Sequence, residues 1–255
     1  MTNLAGKTVL LTGASKGIGA EIAVAIGAAG ANLIAHYGSD RSGAERATAA
    51  IAPERVQLIG ADLQDPNAVD RLWRDALSWR GRVDVLINNA AVMRIAGGIE
   101  DDQSVWDEVW DEALRVNVLA PVRLMRQAVR HYLQAGGGTL ITISSWAAQR
   151  GPGNPALIAY ASSKGAVLSA TKAIARNYAD KNILAYVIAP GVVRTRMSEQ
   201  AAAAAGGEAA FTANLAMREW VPPSDIGNLA AFLSSGTCRH LSGATLDVNG
   251  ASYIR

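Results

Sequence analysis

Short apolar runs alternate with longer amphipathic stretches along the chain. The runs Thr8–Leu11, Asn32–Ala35, Val56–Ile59, Val83–Ile87, Thr139–Ile143, Leu184–Ile188 and Ala244–Val248 predict seven strands. Several are continuously apolar rather than alternating, as strands buried on both faces require. Between the first two, Ile18, Ile22, Ala25, Ile26 and Ala29 recur at helical spacing, and Gly30 is placed to close the helix. Further helices are predicted over Gly43–Ala52, Pro66–Trp79, Ser104–Gln134, Leu157–Ala179 and Ser224–Ser234. Pro66 behind Asp65, and Ser224-Asp225 behind Pro223, read as helix starts. The unbroken β-α-β-α rhythm predicts an α/β fold, a doubly wound parallel seven-stranded sheet with helices on both faces.

No linker, repeat or composition shift divides residues 1–255, so a single domain is expected. Ala201–Ala210 is nearly poly-alanine, and the surrounding interval 194–220 reads either as a substrate flap or as an inert surface insertion. Half of the 255 residues are hydrophobic and 18% are charged, an ordinary globular balance. A net charge of +2 gives no reason to expect nucleic acid or an anionic membrane. Cys238 is the sole cysteine, which excludes an intrachain disulfide and suits a reducing compartment; it reads as a passive thiol rather than a nucleophile. No run approaches the ~20 apolar residues of a membrane span. The apolar run Thr8–Thr12 is too short for a signal peptide, so a cytoplasmic location is expected. No metal-ligand cluster is read.

Candidate chemistry begins at Thr12-Gly13-Ala14-Ser15-Lys16-Gly17-Ile18-Gly19, between the first strand and helix. Glycines there allow a tight turn and close approach of backbone N–H groups to a pyrophosphate, at a helix end that favours negative charge. The spacing T-G-x-x-x-G-x-G differs from the commoner G-x-G-x-x-G and by itself also fits a structural turn. Asn88-Asn89-Ala90-Ala91 follows the fourth strand, and Asn117, Ser145, Tyr160, Lys164 and Pro190-Gly191 come after it in order. Over essentially its whole length the chain resembles the short-chain dehydrogenase/reductase family, including members such as β-ketoacyl carrier-protein reductases and glucose dehydrogenases. The resemblance implies a Rossmann fold. It also implies a cofactor site built from Gly13, Ser15, Lys16, Gly17, Ile18, Gly19, Ser39, Arg41, Asp62, Leu63, Asn89, Ala90, Tyr160, Lys164, Pro190, Gly191, Val193 and Thr195. Ala91 departs from the family's usual glycine.

The second strand leads into Ala35-His36-Tyr37-Gly38-Ser39, without the acid that would bind a ribose diol and exclude a 2′-phosphate. Lys16, Ser39 and Arg41 suit a phosphate, so NADP(H) is expected and NAD(H) is the alternative. Two observations stand against this: Asp40 could swing toward the ribose, and Lys16 and Arg41 also fit ordinary solvated charge. Asp62 resembles the family position that meets the adenine, and equally fits a turn cap.

Tyr160 and Lys164 lie four apart on a predicted helix, hence on one face. A free phenol titrates near ~10, and a neighbouring ammonium is expected to lower that value into range for acid–base work. The resemblance implies that Ser145 hydrogen-bonds the substrate oxygen, Tyr160 exchanges the proton, and Lys164 holds the nicotinamide ribose. Ser144 is the neighbouring alternative to Ser145. Tyr160 follows Ser145 by 15 positions, two more than the family usually shows, with the extra length in the turn-rich Gln149–Pro155.

Pro121 has no N–H and crowds the carbonyl four residues earlier, so the Asn117 carbonyl loses its helical partner. A freed carbonyl there could hold a water that relays protons from Lys164, or the feature could be only a kinked helix. Arg94, Ile95, Trp146, Ile158, Met197 and the interval from Arg196 to Trp220 are candidate pocket residues, Trp146 reading either as an apolar wall or as core. The leading expectation is an oxidoreductase interconverting a small-molecule carbonyl and an alcohol. The alternatives are a sugar or polyol dehydrogenase using NAD and a non-catalytic dinucleotide sensor. The resemblance also implies a homotetramer or dimer, with contacts through the long helices and Leu246–Arg255.

Overall fold

A computed structural model of the protein describes residues 2–204 and 206–254. Met1, Ala205 of the poly-alanine segment and Arg255 of the C-terminal contact segment lie outside the described residues.

Seven parallel strands form one sheet: β1 (Thr8–Leu11), β2 (Asn32–Tyr37), β3 (Val56–Gly60), β4 (Val85–Asn88), β5 (Gly138–Ile143), β6 (Ile183–Pro190) and β7 (Thr245–Val248). Their order is β3-β2-β1-β4-β5-β6-β7. The winding direction reverses between β1 and β4, and the crevice beyond the carboxyl ends of these strands is where such sheets bind ligands. The helices are α1 (Gly17–Ala28), α2 (Arg41–Thr48), α3 (Pro66–Arg80), α4 (Gln103–Leu114), α5 (Ala120–Ala135), α6 (Ala147–Arg150), α7 (Ile158–Tyr178), α8 (Arg196–Ala204), α9 (Glu208–Ala213) and α10 (Pro223–Ser234).

Successive strand residues point to opposite faces, so a strand buried on both sides must be apolar throughout. Val9, Leu11, Leu33, Val85, Ile87 and Tyr186 pack with Ile22 and Ile26 of α1 and Ile226 of α10. Leu10, Ile34, Leu86 and Leu140 pack on the other face with Leu72 and Trp73 of α3 and Leu124 and Tyr132 of α5. Each such side chain contributes roughly 1.5–3 kcal/mol on burial, and the two layers fix the crevice between them.

The predicted helix Ser104–Gln134 is interrupted. A π-helical turn, Arg115–Leu119, separates α4 from α5, with the Ala120 N–H reaching back five residues to the Arg115 carbonyl. Pro121 offers no N–H, so the ladder loosens immediately before it. The helix predicted over Gly43–Ala52 begins earlier, because Asp40 caps α2 by accepting the Gly43 N–H at 2.8 Å. Asp65 caps α3 likewise at Asn67, with Pro66 behind it.

The interval between β6 and β7 carries α8, α9 and α10, joined by turns and by a bridge between Val193 and Val221. Val192, Ala202, Leu215 and Trp220 form a small apolar cluster of their own, with Trp146 and Phe211 packed against it. Among the described residues no helix is long and apolar enough to cross a membrane.

Candidate active site

The glycine loop lies between β1 and α1. Gly13 (φ +72°) and Gly17 (φ +55°) occupy the left-handed region. A Cβ on Gly19 would stand 1.9 Å from the Gly13 carbonyl and 2.6 Å from Asn89 Nδ2, so only glycine permits this packing of helix on turn. Asn89 Nδ2 donates to the Thr12 and Gly13 carbonyls at 2.9 and 3.0 Å, and Thr12 Oγ1 accepts the N–H groups of Asn89 and Ala90 at 3.0 and 3.1 Å. The loop is thereby tied to the end of β4. Lys16 stands exposed at the N-cap of α1, which has no side-chain cap and no acid in its first turn, and Gly17 and Ile18 open the helix. An uncapped helix start beside a cradle that excludes side chains fits a pyrophosphate.

The region expected to face an adenosine lies at the ends of β2 and β3. Ser15 Oγ donates to the Asp40 carbonyl at 2.7 Å. The Asp40 carboxylate accepts from Gly43 N–H and Ser42 Oγ, which hold it below the usual carboxylate range, so it is committed to the α2 cap rather than turned toward a ribose. Ser39 is exposed, and Arg41 pairs with Glu45 at 2.9 Å on the surface. Asp62 Oδ1 accepts the Gln64 N–H at 2.9 Å, a turn-capping role, while the Leu63 side chain is buried in the core.

At the ends of β5 and α7 the structure brings Ser145, Tyr160 and Lys164 together. The Tyr160 hydroxyl is hydrogen-bonded to the Ser145 side chain, whose Oγ also accepts the Ala147 N–H at 3.1 Å. Ser144 Oγ instead donates to the Lys164 carbonyl at 3.0 Å, so the second serine is the one aimed at the phenol. The additional loop length is taken up by α6 and a single turn at Pro155–Leu157, without separating Ser145 from Tyr160. Lys164 is buried, its Nζ 5.8 Å from the Tyr160 ring centroid, and the only hydrogen-bond partner of that Nζ among the described residues is the Ile143 carbonyl at 2.8 Å. Two of its three N–H donors have no partner among the described residues.

The expected lowering of the Tyr160 pKa is not found. Burial of the hydroxyl pushes it up to about 12, outweighing the opposing Ser145 hydrogen bond. Burial also brings Lys164 down to about 8. The physical reason is that desolvation disfavours both charged forms, while the ammonium is turned to Ile143 rather than to the phenol oxygen.

Asn117 sits in the π-helical turn, buried. Its Oδ1 accepts the Val92 N–H at 2.8 Å, and its Nδ2 donates to the Val92 carbonyl at 2.9 Å and to Ser163 Oγ at 3.0 Å. Beyond β6, Gly191 leaves no room for a Cβ against Asn249, and the Trp146 N–H donates to the Pro190 carbonyl at 3.0 Å. Val193 is buried and bridges to Val221, and the Thr195 methyl lies 3.2 Å from where a Gly17 Cβ would be. The β6 segment thus closes over the glycine loop. Trp146 joins the apolar cluster of the 194–220 interval beside Ser145. Arg94 is anchored to Glu108 and Glu112 at 2.6 and 3.8 Å. A groove of about 780 Å³ between α3 and α5 contains none of these residues.

Three residues gain partners that the sequence does not indicate: Thr12, His36 and Ser163. Gly13 N–H donates to His36 Nδ1 at 3.1 Å, and Ser163 Oγ donates to the Tyr160 carbonyl at 2.7 Å. Thr12 opens the glycine motif and Ser163 lies between Tyr160 and Lys164, but only the fold gives either a partner.

Comparison with known proteins agrees with this geometry. A family described as Enoyl-(Acyl carrier protein) reductase matches residues 13–251. The chain is 34% identical over 261 residues to 3beta-hydroxysteroid dehydrogenase 1 of Eggerthella lenta, covering 99% of this chain and 95% of that protein. A short chain dehydrogenase from Burkholderia cenocepacia, solved in complex with NADP, superposes with a TM-score of 0.88 at 31% identity, covering 98% of this chain and 99% of that one. A 3-ketoacyl-(acyl-carrier-protein) reductase from Brucella melitensis, solved with NADH, gives 0.86 at 28% identity, covering 99% of this chain and 100% of that one. With the glycine cradle, the Ser145–Tyr160–Lys164 cluster and the doubly wound sheet in place, these likenesses make the chain a member of the short-chain dehydrogenase/reductase family of oxidoreductases.

Proposed function

We propose that the protein is an NADP(H)-dependent reductase that converts a ketone or aldehyde to an alcohol, with Tyr160 as proton donor. The hydrogen bond between the buried Tyr160 phenol and Ser145, beside a buried lysine with unspent donors, carries this reading. A phenol titrating at about 12 is protonated at neutral pH, which suits donation to a developing alkoxide. Ser145 Oγ holds the same oxygen in place, and Lys164 donates to the nicotinamide ribose. The bound nicotinamide supplies the hydride. Asn117 holds the Val92 loop and α7 in register. Pro121 leaves the Asn117 carbonyl without an i+4 donor, and that carbonyl holds a water through which Lys164 exchanges protons.

Three features support NADP(H) over NAD(H). No acid ends β2, Asp40 is spent on a helix cap, and Lys16, Ser39 and Arg41 surround that end with a donor and two cations. The Arg41–Glu45 pair is a surface pair and holds the guanidinium only weakly, so it can turn to a phosphate. The Burkholderia neighbour was solved with NADP and the Brucella one with NADH. Residues 194–220 form the substrate cover, with Trp146 and the Val192–Trp220 cluster as its apolar wall. Leu114, Leu119 and Val122 expose an apolar strip along α4 and α5, which we assign to contact with further copies of the chain.

The test is consumption of NADPH and of NADH with a panel of ketones that includes 3-ketosteroids and 3-ketoacyl thioesters. Turnover of at least one with NADPH favoured is expected; a clear preference for NADH would overturn the Lys16–Arg41 assignment.

A further inference from the structure

We infer that His36 is a positioning residue for the dinucleotide loop, acting as a neutral ring that clamps Gly13 to the loop after β3. This rests on the reading that the glycine loop holds a nicotinamide dinucleotide. His36 lies on β2 between β1 and β3, and is 2% exposed. Gly13 N–H donates to its Nδ1 at 3.1 Å, and its Nε2 is 3.0 Å from the Ala61 carbonyl. An amide N–H can only donate and a carbonyl can only accept, so the ring must be neutral with its proton on Nε2. Burial favours the same neutral form. The His36 backbone adds a third link, its carbonyl accepting the Ala14 N–H at 2.9 Å.

The consequences fall on both loops of the adenosine half. Gly13 N–H, spent on the imidazole, is not one of the donors that meet a phosphate. The Gly13 peptide is held from both sides, by His36 at its nitrogen and by Asn89 at its carbonyl. That fixes the left-handed turn from which Ser15, Lys16 and Gly17 depart. Ala61, at the other end of the ring, immediately precedes Asp62 and Leu63. One side chain therefore sets the spacing between the pyrophosphate turn and the adenine-side turn. A residue kept only for packing would not need two correctly placed nitrogens.

Asparagine and phenylalanine separate these roles. His36→Asn places an amide oxygen near the Nδ1 position and keeps the Gly13 bond, while His36→Phe keeps the ring volume and loses both bonds. NADPH dissociation constants and steady-state kinetics are measured for both, and the full-length wild type, labelled with 15N-histidine, is examined by NMR at neutral pH. His36→Phe is expected to weaken NADPH binding about tenfold while changing kcat at saturating cofactor less than about twofold, and His36→Asn to stay within about threefold of wild type. The resonance lost in His36→Asn should be that of a neutral ring protonated on Nε2. A Phe variant that binds as wild type does, an Asn variant weaker than Phe, or a ring protonated on Nδ1 overturns the clamp. If His36→Phe does not fold, the wild-type ring resonance and the Asn variant decide. Wild-type protein that binds neither NADPH nor NADH overturns the dinucleotide reading, and this inference with it.

Discussion

Asn117 Nδ2 donates to Ser163 Oγ at 3.0 Å, and Ser163 Oγ passes its own hydrogen to the Tyr160 carbonyl at 2.7 Å. Together with two bonds to the Val92 backbone, this makes one buried asparagine the joint between the loop after β4 and the helix that carries Tyr160 and Lys164. Asn117→Ala strands buried partners on both sides, whereas Ser163→Ala removes only the helix-side link. The expected losses are about 2–4 kcal/mol for Asn117→Ala and about 1 kcal/mol for Ser163→Ala, read by urea unfolding. Equal losses in the two variants would contradict this assignment of partners.

Pro121→Ala restores an N–H four residues after Asn117 and competes for its carbonyl. Turnover should fall severalfold while the NADPH dissociation constant stays near the wild-type value. Unchanged turnover would count against a water held at that carbonyl.

Lys164 gives a stability signature with a definite sign. Its folded-state value of about 8 lies below the ordinary 10.5, so between these limits the unfolded chain binds more protons than the folded one. Stability attributable to this group therefore rises as pH rises from about 8 to about 10.5, and is lost as pH falls through 8. Measured as wild type minus Lys164→Met in denaturant titrations, the difference should move in favour of wild type by up to ~3 kcal/mol across that window. A flat difference would show that the ammonium is not desolvated.

Gly19→Ala sets a methyl group into the Gly13 carbonyl and should weaken dinucleotide binding by more than about a hundredfold, since helix and turn must separate. Gly153→Ala, with nothing within 4 Å of its added carbon, is the control and should change stability by less than about 0.5 kcal/mol. Isothermal titration and thermal melts distinguish the pair.

The layers were legible because both faces of the sheet are covered, which forces runs such as Leu10–Leu11 and Leu86–Ile87 to be apolar without alternation. The glycine turn was legible because φ angles such as that of Gly13 and the approach of Gly19 to its carbonyl select the residue itself. Partnerships across distant strands were not. Nothing local to His36 says that β1 and β3 flank it, and nothing local to Ser144 says that its hydroxyl is taken by Lys164. The Tyr160 titration departs from the sequence expectation for a related reason: the spacing to Lys164 is a sequence property, whereas the burial that raises the pKa belongs to the whole fold. The π-helical turn followed from Pro121 in cause but not in form.

Tyr160 is proposed to give the proton in a nicotinamide-dependent carbonyl reduction. The most direct test compares wild type with Tyr160→Phe on the best ketone of the panel, following NADPH consumption and, separately, NADPH binding. Loss of turnover by at least about a thousandfold is expected, with binding within a few-fold of wild type, because only the donated proton and the Ser145 bond are removed. Turnover of the Phe variant within tenfold of wild type would contradict it.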